Sequence, residues 1–291
     1  MTELLWKIGR RTLTLGRRTH VMGVLNVTPD SFSDGGLFFD AARAVARAEE
    51  MVEEGADILD VGGESTRPGG APVSDEEELR RVVPVVEAVA RKVGVPVSVD
   101  TTKAAVARAA LDAGAEIVND ISGLRFDPSL ADEAAREGAG LVLMHSRGGR
   151  ETLHAQDYAE DIWEEVTGAL GRSIAEAVRR GVRRGCIALD PGIGFGKSQR
   201  QNLELLARLN RLADAFPDFP LLVGTSRKSF LGRITGLTDA SARTHATTAS
   251  VAAAVLRGAH VVRVHDVRAA VEASRVADAI REVTSDEKGE V

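Results

Sequence analysis

The residues of this chain best equipped for chemistry recur at one kind of place, where a short apolar run gives way to a polar or glycine-rich loop. Asn26, Glu64, Asp100, Asn119, His145, Asp190, Lys228, Arg263 and His265 all stand there. Any one of them has an ordinary explanation: an Asp after a strand often caps a helix, and a lone His is often a satisfied structural residue. Asp120 and Asp266 are read as caps or supports on those grounds. Eight runs ending this way read together as a polar ligand pocket. Asp100, Asn119 and Asp190 offer acceptors and an amide, the equipment for a flat heterocycle with several N–H groups and a carbonyl. The cations form a separate group: Arg67 beside Ser65 and Thr66, Lys228 with Ser226 and Arg227, and Arg263 with His265. Arginine forks suit phosphate oxygens, although Arg227 reads equally as half of a surface ion pair. The Asn26 carbonyl is the hard oxygen type that ligates Mg²⁺ beside a diphosphate. There is no His/Cys cluster of the zinc kind, and His154 is expected in an exposed loop.

The elements that must carry these residues repeat as a unit. Val21–Val27 is an apolar run that reaches Asn26 and opens into TPDSFSDGG, a loop rich in turn residues. Seven further strands are expected: Ile58–Val61, Val95–Val99, Glu116–Val118, Leu141–Met144, Cys186–Leu189, Leu221–Val223 and Val261–Val264. Helical spacing lies between them. Asp40 is expected to cap the first helix, Ser74 with Glu77 to form a capping box, and Asp127-Pro128 to start a later helix. Tyr158–Arg180 reads as one long helix, and Leu203, Leu206, Leu209 and Leu212 as the face of another. Four strands are introduced by a Gly-Ala pair (55–56, 114–115, 138–139 and 258–259), the signature of a helix end turning directly into a parallel strand. Eight such units with non-alternating strands predict an α/β fold of the (β/α)8 TIM-barrel type. A doubly wound open sheet would want a G-x-G-x-x-G turn after its first strand, which is lacking. Residues 1–19, alternating about Gly9 and Gly16, predict an N-terminal hairpin packed on the barrel. The catalytic barrel is placed at 20–283 and a disordered tail at 284–291.

Composition bounds the rest. A length of 291 residues with 44% hydrophobic and 27% charged residues suits one barrel. A net charge of −6 gives no basic footprint for nucleic acid. Cys186, the one cysteine, lies in an apolar run and reads as a buried structural thiol. The first residues lack an apolar stretch of signal-peptide length and no run suits a membrane span, so a cytoplasmic location is expected. Among only six lysines, Lys197 and Lys228 occupy loops that follow strands, where arginine would be this chain's ordinary surface cation.

Eight motifs in order, NVTPDSFSDGG, DVGGESTRPG, SVDTTK, NDISG, LMHSRG, LDPGIGFGK, GTSRKSFLG and RVHDV, make the chain from about His20 to Val267 resemble the dihydropteroate synthase family, the folate-pathway enzymes targeted by sulfonamides. The resemblance implies a homodimeric barrel that joins 6-hydroxymethyl-7,8-dihydropterin diphosphate to p-aminobenzoate with Mg²⁺. It places Asp100, Asn119, Met144, Asp190 and Lys228 on the pterin. It puts Asn26, Arg263 and His265 on the diphosphate, with Asn26 also on the metal. Phe32, Thr66, Arg67, Pro68, Phe195 and Ser226 fall on the p-aminobenzoate side. Asp100, Lys228, Asp34 and Arg67 are the residues implied in catalysis, with Asp34 and Arg67 completing the site as the first two loops close. Ile193 departs from the family, many members having a second aromatic there. Three other readings are open: a Schiff-base barrel using Lys228, a pterin-binding methyltransferase module with a corrinoid partner, and a catalytically silent pterin-binding relative.

Overall fold

A computed structural model of the chain describes residues 3–27, 37–64, 73–149, 152 and 158–286. The chain opens with the antiparallel hairpin β1 (Leu4–Ile8) and β2 (Arg11–Leu15). The repeating units follow: β3 (His20–Asn26), α1 (Leu37–Glu53), β4 (Ile58–Gly62), α2 (Asp75–Lys92), β5 (Val97–Asp100), α3 (Ala104–Asp112), β6 (Ile117–Asp120) and α4 (Leu130–Glu137). Beyond these come β7 (Gly140–Met144), α5 (Ile162–Arg179), β8 (Ile187–Asp190), α6 (Gln199–Ala207), α7 (Asn210–Ala215), β9 (Leu222–Val223), α8 (Ser229–Thr235), α9 (Thr244–Leu256), β10 (Val261–Val264) and α10 (Val267–Asp286). Eight strands pair in parallel in the order β8-β7-β6-β5-β4-β3-β10-β9. Leu189 bridges Leu221 in parallel, and its N–H donates to Pro220 O at 2.9 Å, which shuts the sheet into the expected barrel. No helix among the described residues is long and apolar enough to cross a membrane.

The eight expected strands are all present, with ends shifted by a residue or two. The helix starts differ more. Asp40 lies within α1, which already begins at Leu37, so it is not the residue before the helix. Ser74 accepts the Glu77 N–H as expected of a cap, but the Glu77 carboxylate turns outward to Arg80 and Arg81, leaving half a capping box. The complete box belongs to Ser198 and Gln201 at the start of α6. Asp127 reaches across to a neighbouring helix: one oxygen accepts the Ser129 N–H and the other accepts that of Ala104, the first residue of α3. The long helix begins at Ile162 behind the cap Asp161, and the leucine-rich stretch divides into α6 and α7. The Gly-Ala pairs behave uniformly: Gly55, Gly114, Gly138 and Gly258 all take positive φ, from 61° to 112°, reversing the chain into the next strand.

The hairpin closes the barrel at the N-terminal ends of its strands. Trp6, Ile8 and Leu15 are fully buried there against Met22, Ile58, Ile117, Val142, Ala188, Leu222 and Val261. Gly140 is the residue that lets them in, since a Cβ on it would lie 2.5 Å from Ile8 Cγ2. Trp6 Nε1 donates to Cys186 O at 2.8 Å, and the Cys186 side chain is itself buried. Trp6→Phe is expected to cost about 2 kcal/mol by orphaning that carbonyl and leaving a small void. Chemical denaturation should show it as a lower midpoint. Kinetic constants should not move, because the opposite end of the barrel carries the polar residues.

Candidate active site

The C-terminal ends of the strands converge, as a barrel requires, and their polar residues form one network at its centre. Arg263 on β10 donates through Nε to Asp60 Oδ2 at 2.6 Å and through Nη2 to Asp100 Oδ2 at 2.5 Å. Asn119 on β6 donates from Nδ2 to the same Asp60 oxygen at 3.0 Å. The guanidinium thereby ties β10 to β4 and β5, and the shared Asp60 carboxylate brings in β6. Burial works against the Arg263 charge, but Asp60 and Asp100 more than offset it and hold the group firmly protonated. Burial pushes the Asp100 carboxyl up, Arg263 opposes that, and the Asp60 charge adds to it. Asp60 is fully buried, and its Oδ1 has no hydrogen-bond partner among the described residues.

Asp190 and Lys228 stand across the mouth from this network. Asp190 Oδ1 accepts the Gly192 N–H at 2.6 Å, and burial raises its carboxyl to about 6 in spite of that bond. Burial lowers the Lys228 ammonium to about 8; Arg263 acts in the same direction, against Asp190 and Asp100. Lys228 Nζ lies 3.8 Å from the centroid of the Phe195 ring, a cation–π contact. Phe195, Met144 and Ile121 form a small buried apolar cluster of their own, with Phe126 packed against it. On the neighbouring rim, Ser226 Oγ accepts the His265 N–H at 3.1 Å and lies 2.9 Å from His265 Nδ1. Asn26, at the end of β3, is half-buried. Its Oδ1 and Asp100 Oδ2 flank Gly62, where a Cβ would come within 3.9 and 3.8 Å of them.

The structure thus brings together Asn26, Asp100, Asn119, Met144, Asp190, Phe195, Ser226, Lys228, Arg263 and His265. Phe32, Asp34, Ser65, Thr66, Arg67, Pro68 and His154 lie outside the described residues. Three strand-end residues point to support. Glu64 pairs with Lys103 at 3.1 Å, and the same ammonium reaches Glu78 and the Val73 carbonyl at 2.5 and 2.6 Å. His145 Nδ1 meets Lys197 Nζ at 2.8 Å; burial, and then the Lys197 charge, keep that imidazole neutral. Asp120 accepts the N–H groups of Ser122 and Leu124, the capping role expected for it. Arg227 proves to be the ion-pair partner of Asp266 at 2.7 Å rather than a free anion ligand.

Asp60 and the task of Lys197 escaped the reading of the sequence. The signal for Asp60 was a carboxylate in the middle of ILDVG, where a strand buried on both faces otherwise admits only carbon. For Lys197 it was the rarity of lysine in this chain.

The model of the family described as pterin binding enzyme matches residues 22–265. A dihydropteroate synthase of Synechocystis is 46% identical over 274 residues, covering 94% of either chain. Among solved structures, the Xanthomonas albilineans dihydropteroate synthase with 4-aminobenzoic acid superposes with a TM-score of 0.88 at 43% identity, covering 96% of this chain and 99% of that one. The same organism's enzyme in complex with 7,8-dihydropteroate gives 0.85 at 41% identity, covering 95% and 98%. The match spans every strand that contributes to the mouth, and the chain belongs to the pterin-binding enzymes and, within them, to the dihydropteroate synthases.

Proposed function

We propose that the network at the mouth is the pterin half of a dihydropteroate synthase site, with Asp100, Asn119, Asp190 and Lys228 on the heterocycle and Met144 as its apolar wall. The reaction of the family is condensation of 6-hydroxymethyl-7,8-dihydropterin diphosphate with p-aminobenzoate to 7,8-dihydropteroate and pyrophosphate, a transferase step of folate synthesis. One observation carries the assignment of residues: three carboxylates and two cations, each buried or partly buried and drawn from five strands and the loops after them, meet at one mouth beside an aromatic ring. Carboxylates accept the N–H edge of a pterin, and a desolvated pocket strengthens each such bond.

The residues account for the chemistry. Bond cleavage between the exocyclic methylene and its oxygen releases pyrophosphate, and the electron-rich dihydropterin carries the positive charge left behind. Asp100 and Asp190 favour that cation electrostatically. Arg263 and His265 balance the departing diphosphate. The arylamine nitrogen then attacks the methylene and sheds a proton to solvent; it is nucleophilic at neutral pH without a strong base. Phe195 and Ser226 are assigned to the p-aminobenzoate side, together with Phe32, Thr66, Arg67 and Pro68. Asp34 and Arg67 complete the catalytic set by the same resemblance.

The donors present fit Mg²⁺. Among the described residues no group of three His, Cys, Asp or Glu is placed to hold a metal. Asn26 offers a single hard oxygen beside Asp100, which suits an ion that takes few protein ligands and fills its shell with water and phosphate. When bound, the ion neutralises diphosphate charge. A single barrel over 20–283 with its hairpin, a homodimer and a cytoplasmic location complete the reading.

The test is pyrophosphate release from the pterin diphosphate with Mg²⁺, run with and without p-aminobenzoate while the pteridine product is followed. Release coupled to dihydropteroate formation and inhibited by a sulfonamide is expected. Tight pterin binding without condensation would turn the assignment toward a silent relative.

A further inference from the structure

We infer that Lys197, which touches neither substrate in the reading above, is a positioning residue for the p-aminobenzoate side: it holds the turn that presents Phe195. The inference rests on the assignment of Phe195 to that side. After β8 the chain makes the loop PGIGFGK and enters α6 behind Ser198. Lys197 Nζ lies inside this loop, buried, and donates to Gly192 O at 2.8 Å and Phe195 O at 3.1 Å. It also meets His145 Nδ1 at 2.8 Å and His145 O at 3.4 Å. These partners are carbonyls and a neutral ring nitrogen. Among the described residues the ammonium makes no direct bond to a carboxylate, so its contacts tie two turns of the loop to the end of β7 at a single point.

The rest of the loop is built to be held this way. Gly192, Gly194 and Gly196 have φ of 67°, 88° and 62°. A Cβ on Gly192 would lie 1.8 Å from His145 O, and one on Gly196 would lie 2.6 Å from Arg147 Cβ, so the loop is pressed onto the residues that follow β7. From the helix side, Asn202 Oδ1 accepts the Gly194 N–H at 2.6 Å, and its Nδ2 donates to Lys197 O at 3.2 Å. What this scaffold presents is the Phe195 ring, packed in the cluster with Met144 and lying under Lys228 Nζ. Displacing the Phe195 carbonyl from its anchor moves the ring that follows from the same Cα. Misplacement of a substrate-facing group by a fraction of an ångström is enough to weaken binding.

Lys197→Met keeps the length and the apolar stem and removes the donors. It is expected to raise KM for p-aminobenzoate about tenfold with kcat and the calorimetric Kd for the pterin diphosphate each changed by less than about threefold. Phe195→Leu is the reference variant. If Lys197 acts through the ring, the double variant has the KM of Phe195→Leu alone, because the second change removes the group through which the first works. Multiplying effects, an unchanged KM in Lys197→Met, or an equal loss of pterin affinity overturns the inference. Phe195→Leu with an unchanged KM instead sinks the assignment of Phe195. Should Lys197→Met fail to fold, Asn202→Ser loosens the same loop from its other side. A rise of about threefold in the same KM is then expected, and no rise overturns the proposal.

Discussion

Arg263→Met is expected to abolish useful turnover, lowering kcat about 10³-fold, and to destabilise the fold at the same time. The activity loss follows from removing the partly buried positive charge that the proposed function assigns to the departing diphosphate; one preorganised group of that kind contributes about 10²–10³ in rate. Stability suffers for a different reason. Arg263 is the shared partner of Asp60 and Asp100, at 2.6 and 2.5 Å. Without it two buried carboxylates face each other uncompensated, and breaking such an arrangement costs about 3–5 kcal/mol. The two effects separate in a second variant. Adding Asp60→Asn removes one of the stranded charges while leaving an oxygen to accept from Asn119 Nδ2, so the thermal midpoint should recover substantially. Turnover should stay low, since no cation returns. If activity recovered along with stability, Arg263 would be a strut for the carboxylates and nothing more, and the diphosphate would need another anchor.

The ties of Arg263 to two carboxylates explain how far the sequence could be read. Barrel topology was legible because it depends on local signals that tertiary contacts reinforce: apolar strands, Gly-Ala pairs that need positive φ, and a polar residue where each strand stops. Asp100, Asn119, Asp190, Lys228 and Arg263 were found by position for that reason. Partners are set by side-chain reach across the barrel, which spacing along the chain does not encode. Arg263 and Asp60 lie 203 residues apart, so the sequence could assign Arg263 to phosphate without showing that two carboxylates already hold it. Glu64 failed in the same way, its partner Lys103 arriving from the adjacent unit, just after β5. Helix starts were misjudged where several candidate caps lay close together, as with Asp40 and the residues before Ile162. There the choice is made by packing of the first turn, with propensity only a weak guide.

Asp190→Asn is expected to lower kcat/KM for the pterin diphosphate about 10²-fold and to remove an acid limb from its pH profile. Burial raises the Asp190 carboxyl to about 6, even with the Gly192 N–H donating to it. The free enzyme therefore loses the charged form of Asp190 as pH falls through about 6. If the carboxylate is what accepts the pterin N–H groups and favours the cation, kcat/KM falls about tenfold for each further unit of acid. The sign for stability is opposite. A carboxyl whose folded-state pKa lies above its unfolded value binds more protons when folded, so its penalty is relieved as pH falls from about 6 toward the ordinary carboxylate range. Activity and this group's stability contribution then move in contrary directions over the same window, which distinguishes titration of the site from acid unfolding. Substrate diphosphate also takes up a proton in mildly acid solution, and the variant separates the two sources. A limb that persists in Asp190→Asn belongs to the substrate or to another group, and the carboxylate's part in binding the pterin would have to be given up.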